Sequence, residues 1–331
     1  MDRLPLGQSG LSVSALGLGC VGMSHAYGTA DEAQSFAAMR AAIEHGINFF
    51  DTADLYGAGH NEALIGRFIR EIGRDKLVIA TKFGSLPPDA SGLPSVNNSP
   101  EHIRTACDAS LKRLGIDTID LYYMHRRDPA VPLAESVGAM ARLVEAGKVR
   151  ALGLSEISAA SLRTAQAIHP IAALQSEYSL WFRYPEDDVL PTCAELGITF
   201  VPFSPLGRAF LTGTLAATSF ASDDIRSTLP RFQGDAAARN RGLVDRLRGF
   251  AEQRGITPAQ AALAWLLSKN RGRQTVVPIP GTKQVKYVIE NAAASAVALT
   301  AEEVAHLETI FAREAVAGAR YSEIEAARAG N

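Results

Sequence analysis

Four side chains that can move protons or hold charge follow short apolar runs in this sequence. Asp51 and Tyr56 come after the run Ile47–Phe50, Lys82 closes a second run, and His125 follows a third. Each run has the length and apolar character of a buried strand, and the polar residues after it indicate a turn. In a parallel sheet the carboxyl ends of the strands lie on one side, where α/β enzymes place their chemistry. An acid, a phenol, an ammonium and an imidazole would then share one opening.

Each of these residues alone has an ordinary structural interpretation. Asp51 could cap a turn, Tyr56 could be a rim aromatic, and a lysine or histidine at a strand end is most often a solvated surface group. Together they indicate proton transfer, because the Lys82 ammonium in a crowded opening needs a counter-ion and Asp51 is one. A cation beside Tyr56 is expected to lower the pKa of the phenol from its reference of about 10, making it a usable proton donor near neutral pH.

The composition is that of an ordinary globular protein. The 331 residues are 47% hydrophobic and 21% charged, and 33 lysines and arginines against 35 acids give a formal charge of -2. Without a broad basic field, we expect no nucleic-acid or membrane partner. The N-terminus lacks a leader pattern and the apolar run Ala261–Leu267 is too short to cross a bilayer, so the predicted location is cytoplasmic. Cys20, Cys107 and Cys193 lack metal-ligand spacing, which predicts no metal site and reduced, buried thiols.

Strand patterns and helical patterns alternate along the chain without a linker. Eight strands are predicted, and they begin near Leu16, Ile47, Leu77, Ile119, Val149, Ala173, Ile198 and Thr275. This alternation predicts an α/β protein with a single (β/α)8 TIM barrel, one domain spanning residues 1–331 with a C-terminal helical tail. Two apolar runs within Leu4–Ser14, split by Gly-Gln-Ser-Gly, predict an N-terminal β-hairpin that plugs one end of the barrel. A doubly wound open sheet is the alternative topology.

Three segments resemble the signature segments of the aldo-keto reductases. They are Asn48–Gly57, with the sequence NFFDTADLYG, Ala80–Gly84, with ATKFG, and Asp120–Arg126, with DLYYMHR. The resemblance continues through residues 153–156, 175–178, 201–207 and 279–283, so it covers nearly the whole chain. It implies a (β/α)8 barrel and a reduced nicotinamide cofactor, NADP(H), bound without a Rossmann domain.

The resemblance also implies a catalytic tetrad of Asp51, Tyr56, Lys82 and His125. In the implied reaction, hydride passes from the nicotinamide to the carbonyl carbon of a small aldehyde or ketone while Tyr56 protonates the oxygen. Lys82 would tune Tyr56, Asp51 would hold Lys82, and His125 would orient the carbonyl by hydrogen bonding.

Implied cofactor contacts lie at the later strand ends. Ser155 and Gln175, with Asp51 close by, would hold the nicotinamide carboxamide, and Phe203 would stack on the ring. The residues implied along the pyrophosphate are Ser204, Pro205, Leu206, Gly207, Arg208 and Leu211. Those implied around the adenosine are Gly281, Thr282, Lys283, Glu290 and Asn291.

Two positions depart from the pattern of the family. Relatives often carry an asparagine where Glu156 stands, so the contact of Glu156 is left open. Many members have an arginine where this chain has Tyr287, and arginine binds a 2'-phosphate better than a phenol does. Lys283, with Lys286 nearby, could compensate, so NADP is favoured over NAD.

The glycines at 17, 19 and 22 match G-x-G-x-x-G, the fingerprint of a dinucleotide-binding turn, which is a weak signal alone. That fingerprint needs a helix to begin at the third glycine, whereas the next helix is expected from Asp31. We therefore interpret these glycines as a flexible strand end that approaches the nicotinamide. The polar, irregular insertion Gly207–Asp235 predicts a mobile loop over the barrel opening.

A second functional hypothesis is an NADP-sensing barrel subunit that acts through a protein partner. Two interpretations apply to the apolar residues Met23, Tyr27, Trp181 and Phe232: they line the substrate entrance, or they are packing residues. A monomer or a small homo-oligomer is expected.

Overall fold

An N-terminal hairpin closes the bottom of the fold. The computed structural model describes residues 1–24, 26–88, 94–215, 220 and 224–321. Strands β1 (Arg3–Pro5) and β2 (Ser12–Ser14) pair antiparallel. Leu6 and Val13 are fully buried in the core inside the barrel. The amide of Gly7 donates to Thr199 Oγ1 at 2.8 Å. Thr199 begins a barrel strand, so the predicted plug lies at the amino-terminal end of the strands, opposite the expected site.

Seven parallel strands form the wall of the barrel in the described part of the chain. Neighbours follow chain order, and the strands are β3 (Leu18–Gly19), β4 (Phe49–Asp51), β5 (Val78–Phe83), β8 (Ile119–Met124), β9 (Val149–Ser155), β10 (Ile171–Glu177) and β11 (Thr199–Phe203). A separate antiparallel hairpin, β6 (Ser85–Pro88) and β7 (Pro94–Val96), follows β5. The parallel order along the wall confirms the predicted (β/α)8 class.

Residues 276–281 close the barrel between its first and last strands. Val276 bridges to β11 and Gly281 bridges to Gly19 in β3, both in parallel. Because Pro278 and Pro280 have no N–H, they can only accept bonds from β3, and the ladder on that side is incomplete. The predicted eighth strand is therefore present as bridges, and the barrel closes where a doubly wound sheet would have open edges.

Closure also explains the first two glycines of the fingerprint. A Cβ on Gly19 would lie 2.8 Å from the carbonyl oxygen of Ile279, and one on Gly17 would lie 2.7 Å from the Phe49 ring. Gly22 lies in a short 3-10 turn, and no α-helix begins there. Gly17 and Gly19 are therefore required for close packing at the seam, which is the closure of the barrel by residues 276–281 against β3 and β11.

Helices surround the wall. In the described part of the chain they are α1 (Glu32–Glu44), α2 (His60–Ile72), α3 (Pro100–Leu114), α4 (Leu133–Glu145), α5 (Ala159–Ile168), α6 (Val189–Leu196), α7 (Gly234–Gln253), α8 (Pro258–Leu267), α9 (Val285–Ala293) and α10 (Ala301–Ile310). Asp31 and Ser99 are the N-caps of α1 and α3, and their side chains accept from the amides of Gln34 and His102. Among the described residues, no helix combines the length and apolar character needed to cross a membrane.

The segment after β11 differs from the prediction. The predicted insertion Gly207–Asp235 is followed directly by α7, which the sequence interpretation did not predict and in which Leu243, Leu247 and Phe250 are buried. The insertion itself contains short 3-10 turns, including Phe210–Thr212. The prediction of a mobile loop falls partly on residues 216–219 and 221–223, which lie outside the described residues.

Candidate active site

Strand alternation brings the predicted residues into the barrel. Phe49 and Tyr123 belong to the core inside the barrel, whereas Phe50 and Tyr122 belong to the core between the wall and the helices. Because side chains alternate along a strand, the position two residues after an inward residue also faces inward. Asp51, Lys82 and His125 follow Phe49, Ala80 and Tyr123 by two and lie at the carboxyl ends of their strands. The same spacing from Ala173 and Val201 brings Gln175 and Phe203 to this end.

Asp51 and Lys82 form a buried ion pair. Lys82 Nζ donates to Asp51 Oδ1 at 2.5 Å and to the carbonyl oxygen of Thr52 at 2.8 Å, and the two charged side chains are 0% and 3% exposed. Burial raises the pKa of Asp51, and the Lys82 ammonium opposes that shift. Burial alone would lower the pKa of Lys82, but attraction to Asp51 and Tyr56 holds it above its ordinary value. Lys82 is therefore a cation at neutral pH.

Tyr56 completes a chain of contacts. Its hydroxyl lies 3.3 Å from Lys82 Nζ, and the ammonium is 5.0 Å from the centre of its ring. The turn that carries it includes Gly57 and Gly59, both with positive φ. Burial raises the pKa of Tyr56, while Lys82 lowers it without cancelling the rise. The predicted net lowering is wrong, because desolvation of the phenolate outweighs the nearby cation.

His125 faces Tyr56 across the opening. The two rings meet edge to face with centroids 5.9 Å apart. Burial, together with the charges of Arg126 and Lys82, holds the pKa of His125 well below its ordinary value, so the imidazole is neutral at pH 7. His125 Nδ1 is buried and has no partner among the described residues. A neutral imidazole here can donate one hydrogen bond to an oxygen without adding a charge to the site.

Polar residues of α2 support the site from behind. Asn61 and Glu62 are fully buried; Asn61 Oδ1 accepts from Thr52 Oγ1 at 2.6 Å, and Glu62 Oε1 accepts from Thr81 Oγ1 at 2.6 Å. Arg113 neutralises Glu62 with an Nε–Oε2 distance of 2.6 Å. The sequence interpretation missed this layer, although two consecutive polar residues on an inward-facing first turn were a visible signal.

The residues expected at the nicotinamide have suitable hydrogen-bonding groups. Gln175 Nε2 donates to Asp51 Oδ2 at 2.8 Å, which leaves the side-chain carbonyl of Gln175 as an acceptor. Ser155 Oγ accepts from Arg126 at 3.2 Å, which leaves its hydroxyl hydrogen as a donor. A carboxamide offers an NH2 and a C=O, so one acceptor and one donor at adjacent strand ends fit such a group.

The loop after β11 is strained and tightly packed. Ser204, Gly207 and Arg208 all have positive φ. A Cβ on Gly207 would lie 2.6 Å from Trp181 Nε1, so only glycine allows the indole to pack there. The buried guanidinium of Arg208 pairs with Glu177 at 3.2 Å. The resemblance implied that Arg208 lies along the pyrophosphate, and in the structure its charge is paired with Glu177.

The other predicted loop contacts differ in burial. Pro205 is buried and Leu206 is partly exposed. The side chain of Leu211 is fully buried, and its amide donates to the carbonyl of Leu206 at 3.1 Å. Neither the side chain nor the N–H of Leu211 is open to a ligand in this arrangement.

Comparison with known proteins gives the same assignment as the geometry. The Aldo/keto reductase family matches over residues 15–312. A probable aldo-keto reductase 1 from Glycine max is 43% identical over 324 residues, which are 97% of this chain and 92% of that protein. This chain belongs to the aldo/keto reductase family. It is therefore an NAD(P)H-dependent oxidoreductase that acts on small carbonyl compounds.

Solved aldo/keto reductases share the barrel. A glycerol dehydrogenase from Gluconobacter oxydans aligns with a TM-score of 0.84 at 30% identity, covering 94% of this chain and 95% of that chain. An aldo/keto reductase from Klebsiella pneumoniae in complex with NADP and acetate aligns with a TM-score of 0.74 at 29% identity, covering 97% and 99%.

The expected adenosine side of this aldo/keto reductase lies at the seam of the barrel. Lys283 Nζ donates to the carbonyl oxygens of Tyr27 and Thr29 at 3.1 and 2.5 Å. Gly281 and Thr282 precede it, with Gly281 packed against Gly19. In the following helix, Asn291 is buried and Glu290 is partly exposed. Lys283 therefore links the seam to the loop after β3.

Most of the residues that the sequence suggested for an apolar substrate entrance are buried packing residues. Met23, Trp181 and Phe232 are 2%, 2% and 4% exposed, and the Trp181 ring meets Phe232 edge to face at 5.6 Å. Tyr27 is partly exposed, and its ring lies 5.5 Å from the guanidinium carbon of Arg226. Of this set, only Tyr27 is partly exposed.

Proposed function

We propose that this aldo/keto reductase uses NADPH to reduce an aldehyde or ketone to the alcohol, with Tyr56 as the general acid. The observation that carries the proposal is the continuous chain of contacts from Asp51 through Lys82 to the Tyr56 hydroxyl, with neutral His125 beside it. A buried ammonium next to a phenol stabilises the charge that forms when the phenol gives up its proton.

Each residue has a separate part in the proposed reaction. When bound, the nicotinamide cofactor supplies the hydride for the carbonyl carbon. Tyr56, protonated at neutral pH because burial raises the pKa of the phenol, donates its proton to the carbonyl oxygen. Lys82 stabilises the resulting phenolate, and Asp51 keeps Lys82 charged. His125 donates a hydrogen bond to the same oxygen and so fixes its position between the two donors.

Cofactor recognition is proposed at both ends of the opening. Ser155 and Gln175 would bind the carboxamide, and Phe203 would cover the ring. At the other end, Lys283 would bind the 2'-phosphate of NADP after exchanging its carbonyl partners for the anion, since a charge-assisted bond is stronger than a bond to a neutral acceptor. The NADP-bound Klebsiella pneumoniae relative supports the choice of NADP over NAD.

The proposed organisation is one domain over residues 1–331. It is supported by a single outer core that includes residues from Leu16 to Phe311. In the described residues, no group of three or more His, Cys, Asp or Glu side chains could hold a metal ion.

The function is tested by following NADPH absorbance with a panel of sugars, quinones, aromatic aldehydes, pyridoxal and ketosteroids. Tyr56→Phe should bind NADPH as the wild type does but turn over about 10²-fold more slowly or worse, which is the usual cost of losing a general acid. Full activity in Tyr56→Phe would exclude its role as the acid. NADPH binding by the wild type without turnover of any carbonyl would favour the NADP-sensing subunit.

A further inference from the structure

The C-terminal segment 317–321 packs against the carboxyl ends of the later barrel strands. Asn240 in α7 fixes its start, because Nδ2 donates to the carbonyl of Ala317 at 2.9 Å and Oδ1 accepts from the amide of Ala317 at 2.9 Å. Arg231 Nε donates to the carbonyl of Gly318 at 3.2 Å. The backbone of this segment is thus bound on both sides before it reaches Arg320.

Arg320 joins two buried carboxylates. Its Nη1 lies 2.8 Å from Glu156 Oε2, and its Nε donates to Glu177 Oε2 at 2.8 Å. The arginine side chain is 15% exposed, and the two carboxylates are 4% and 0% exposed. Its guanidinium carbon is also 4.4 Å from the centre of the Phe182 ring and 5.8 Å from that of Phe203. Arg320 is held by charge and by ring faces together.

The two carboxylates adjoin residues expected at the nicotinamide. Glu156 directly follows Ser155, and its amide donates to the carbonyl of Gln175 at 3.0 Å. Glu156 Oε1 also accepts from the amide of Glu177 at 3.0 Å. The backbone φ of Glu156 is +51°, a conformation that non-glycine residues seldom adopt without surrounding support. Any shift of Glu156 would therefore move the ends of β9 and β10.

Charge explains why Arg320 is needed at this position. Burial would raise the pKa of Glu177, but Arg208 and Arg320 hold it below its ordinary value. Without Arg320, Glu177 would keep Arg208, whereas Glu156 would lose its only ion-pair partner among the described residues. A buried, unpaired carboxylate beside a second carboxylate is unstable, so Glu156 would move toward solvent.

We propose that Arg320 is a positioning residue for the cofactor, and that it holds Ser155, Gln175 and Phe203 in register through Glu156 and Glu177. This inference rests on the proposed function, because those three residues are the proposed nicotinamide contacts. It also assigns a contact to Glu156, whose role the sequence left open. Arg320 acts only on the nicotinamide half of the site, since the proposed adenosine contacts begin at Gly281, which bridges to Gly19, and continue through Thr282 and Lys283 into α9.

The test compares two ligands. NADPH reaches both halves of the site, whereas 2',5'-ADP has the adenosine and the 2'-phosphate but no nicotinamide. Arg320→Ala should raise the Kd of NADPH and lower kcat, each by roughly tenfold to hundredfold, because a small misplacement of binding groups has effects of this size. The Kd of 2',5'-ADP should stay within about twofold of wild type. Arg320→Lys should recover part of the loss, because lysine keeps the charge but can pair closely with only one carboxylate.

Arg313→Ala is the matched control, since it removes an arginine from the same C-terminal region whose partner, Asp187, is exposed. It should leave both ligands unaffected. The proposal is overturned if NADPH binds Arg320→Ala as it binds wild type, or if both ligands weaken equally. If Arg320→Ala does not fold, Arg320→Lys decides by the same comparison. Failure of the proposed function would look different, because the wild type would then bind NADPH and reduce no carbonyl.

Discussion

Breaking the Asp51–Lys82 pair should cost more stability than removing the pair entirely. Asp51→Asn leaves the Lys82 ammonium buried without its counter-ion, and Lys82→Met leaves the Asp51 carboxylate in the same position. Removal of one partner of a buried pair typically costs about 3–5 kcal/mol. The Nζ–Oδ1 distance of 2.5 Å and side-chain exposures of 0% and 3% place this pair in that class.

The double variant Asp51→Asn/Lys82→Met removes both charges. What remains is the loss of three secondary bonds, from Lys82 to the carbonyl of Thr52, from Lys82 to the Tyr56 hydroxyl, and from Gln175 to Asp51. At about 0.5–1.5 kcal/mol each, these amount to roughly 1.5–4.5 kcal/mol. The sum of the single changes would be about 6–10 kcal/mol, so a coupling energy of at least about 1.5 kcal/mol is expected.

The free energy of unfolding of the three variants is measured at pH 7 by urea titration with circular dichroism as the signal. The midpoint and the slope of each transition are fitted separately. In thermal melts, each single variant should lose about 4–7 °C, taking an unfolding entropy of about 2.1 cal/mol/K per residue. If the loss in the double variant equals the sum of the single losses within about 0.5 kcal/mol, the two residues do not act as a pair.

The pH dependence of stability gives an independent check on the direction in which folding shifts the pKa of Lys82. In the wild type the pKa of Lys82 is raised on folding, so its contribution is fully present below the unfolded value of about 10.4 and is lost only above it. In Asp51→Asn, burial acts on Lys82 without the opposing carboxylate, so its folded pKa should fall below the unfolded value. The unfolded state then binds more protons, and the deficit of Asp51→Asn should shrink as pH rises from 7 toward about 10. A deficit that grows over that range would refute the assignment.

Three further outcomes are expected. Alcohol oxidation uses the Tyr56 phenolate as base, and Lys82→Met removes the cation that lowers the pKa of Tyr56. The pH profile of kcat for this reaction should therefore move to higher pH, and an unchanged profile would contradict the prediction. Lys283→Ala should weaken NADPH about tenfold more than NADH in fluorescence titrations, since only NADPH presents a 2'-phosphate, whereas Lys286→Ala should weaken neither selectively. Gly207→Ala should lower the free energy of unfolding by about 2 kcal/mol or more in urea titrations, because its Cβ would meet Trp181 and its φ is positive. The control Gly242→Ala, on the exposed face of α7, should raise it by about 0.5–1 kcal/mol.

The strand ends could be predicted because they depend on local pattern. Alternation along a strand is a property of the extended backbone, and parallel strands must end on the same side. For that reason the placement of Asp51, Lys82 and His125 at one opening followed from apolar runs and the residues after them. The start of α1 at Asp31 was predictable for the same reason, because a cap is made within a few residues. Helix α7 was also visible in the spacing of Leu243, Leu247 and Phe250, and the polar insertion before it obscured that signal.

The amino-acid sequence by itself thus determined the barrel class and the chemical groups at its opening. The tertiary structure alone decided how the barrel closes, where Gly17 and Gly19 make room for the backbone of residues 276–281. It also decided the net shift in the pKa of Tyr56, because desolvation depends on how much protein surrounds the phenol and cannot be counted from neighbours in sequence. The contact of Arg320 with Glu156 is likewise decided only by the tertiary structure. Ion pairs between residues more than 160 positions apart depend on where the whole chain returns, and local periodicity does not encode that path.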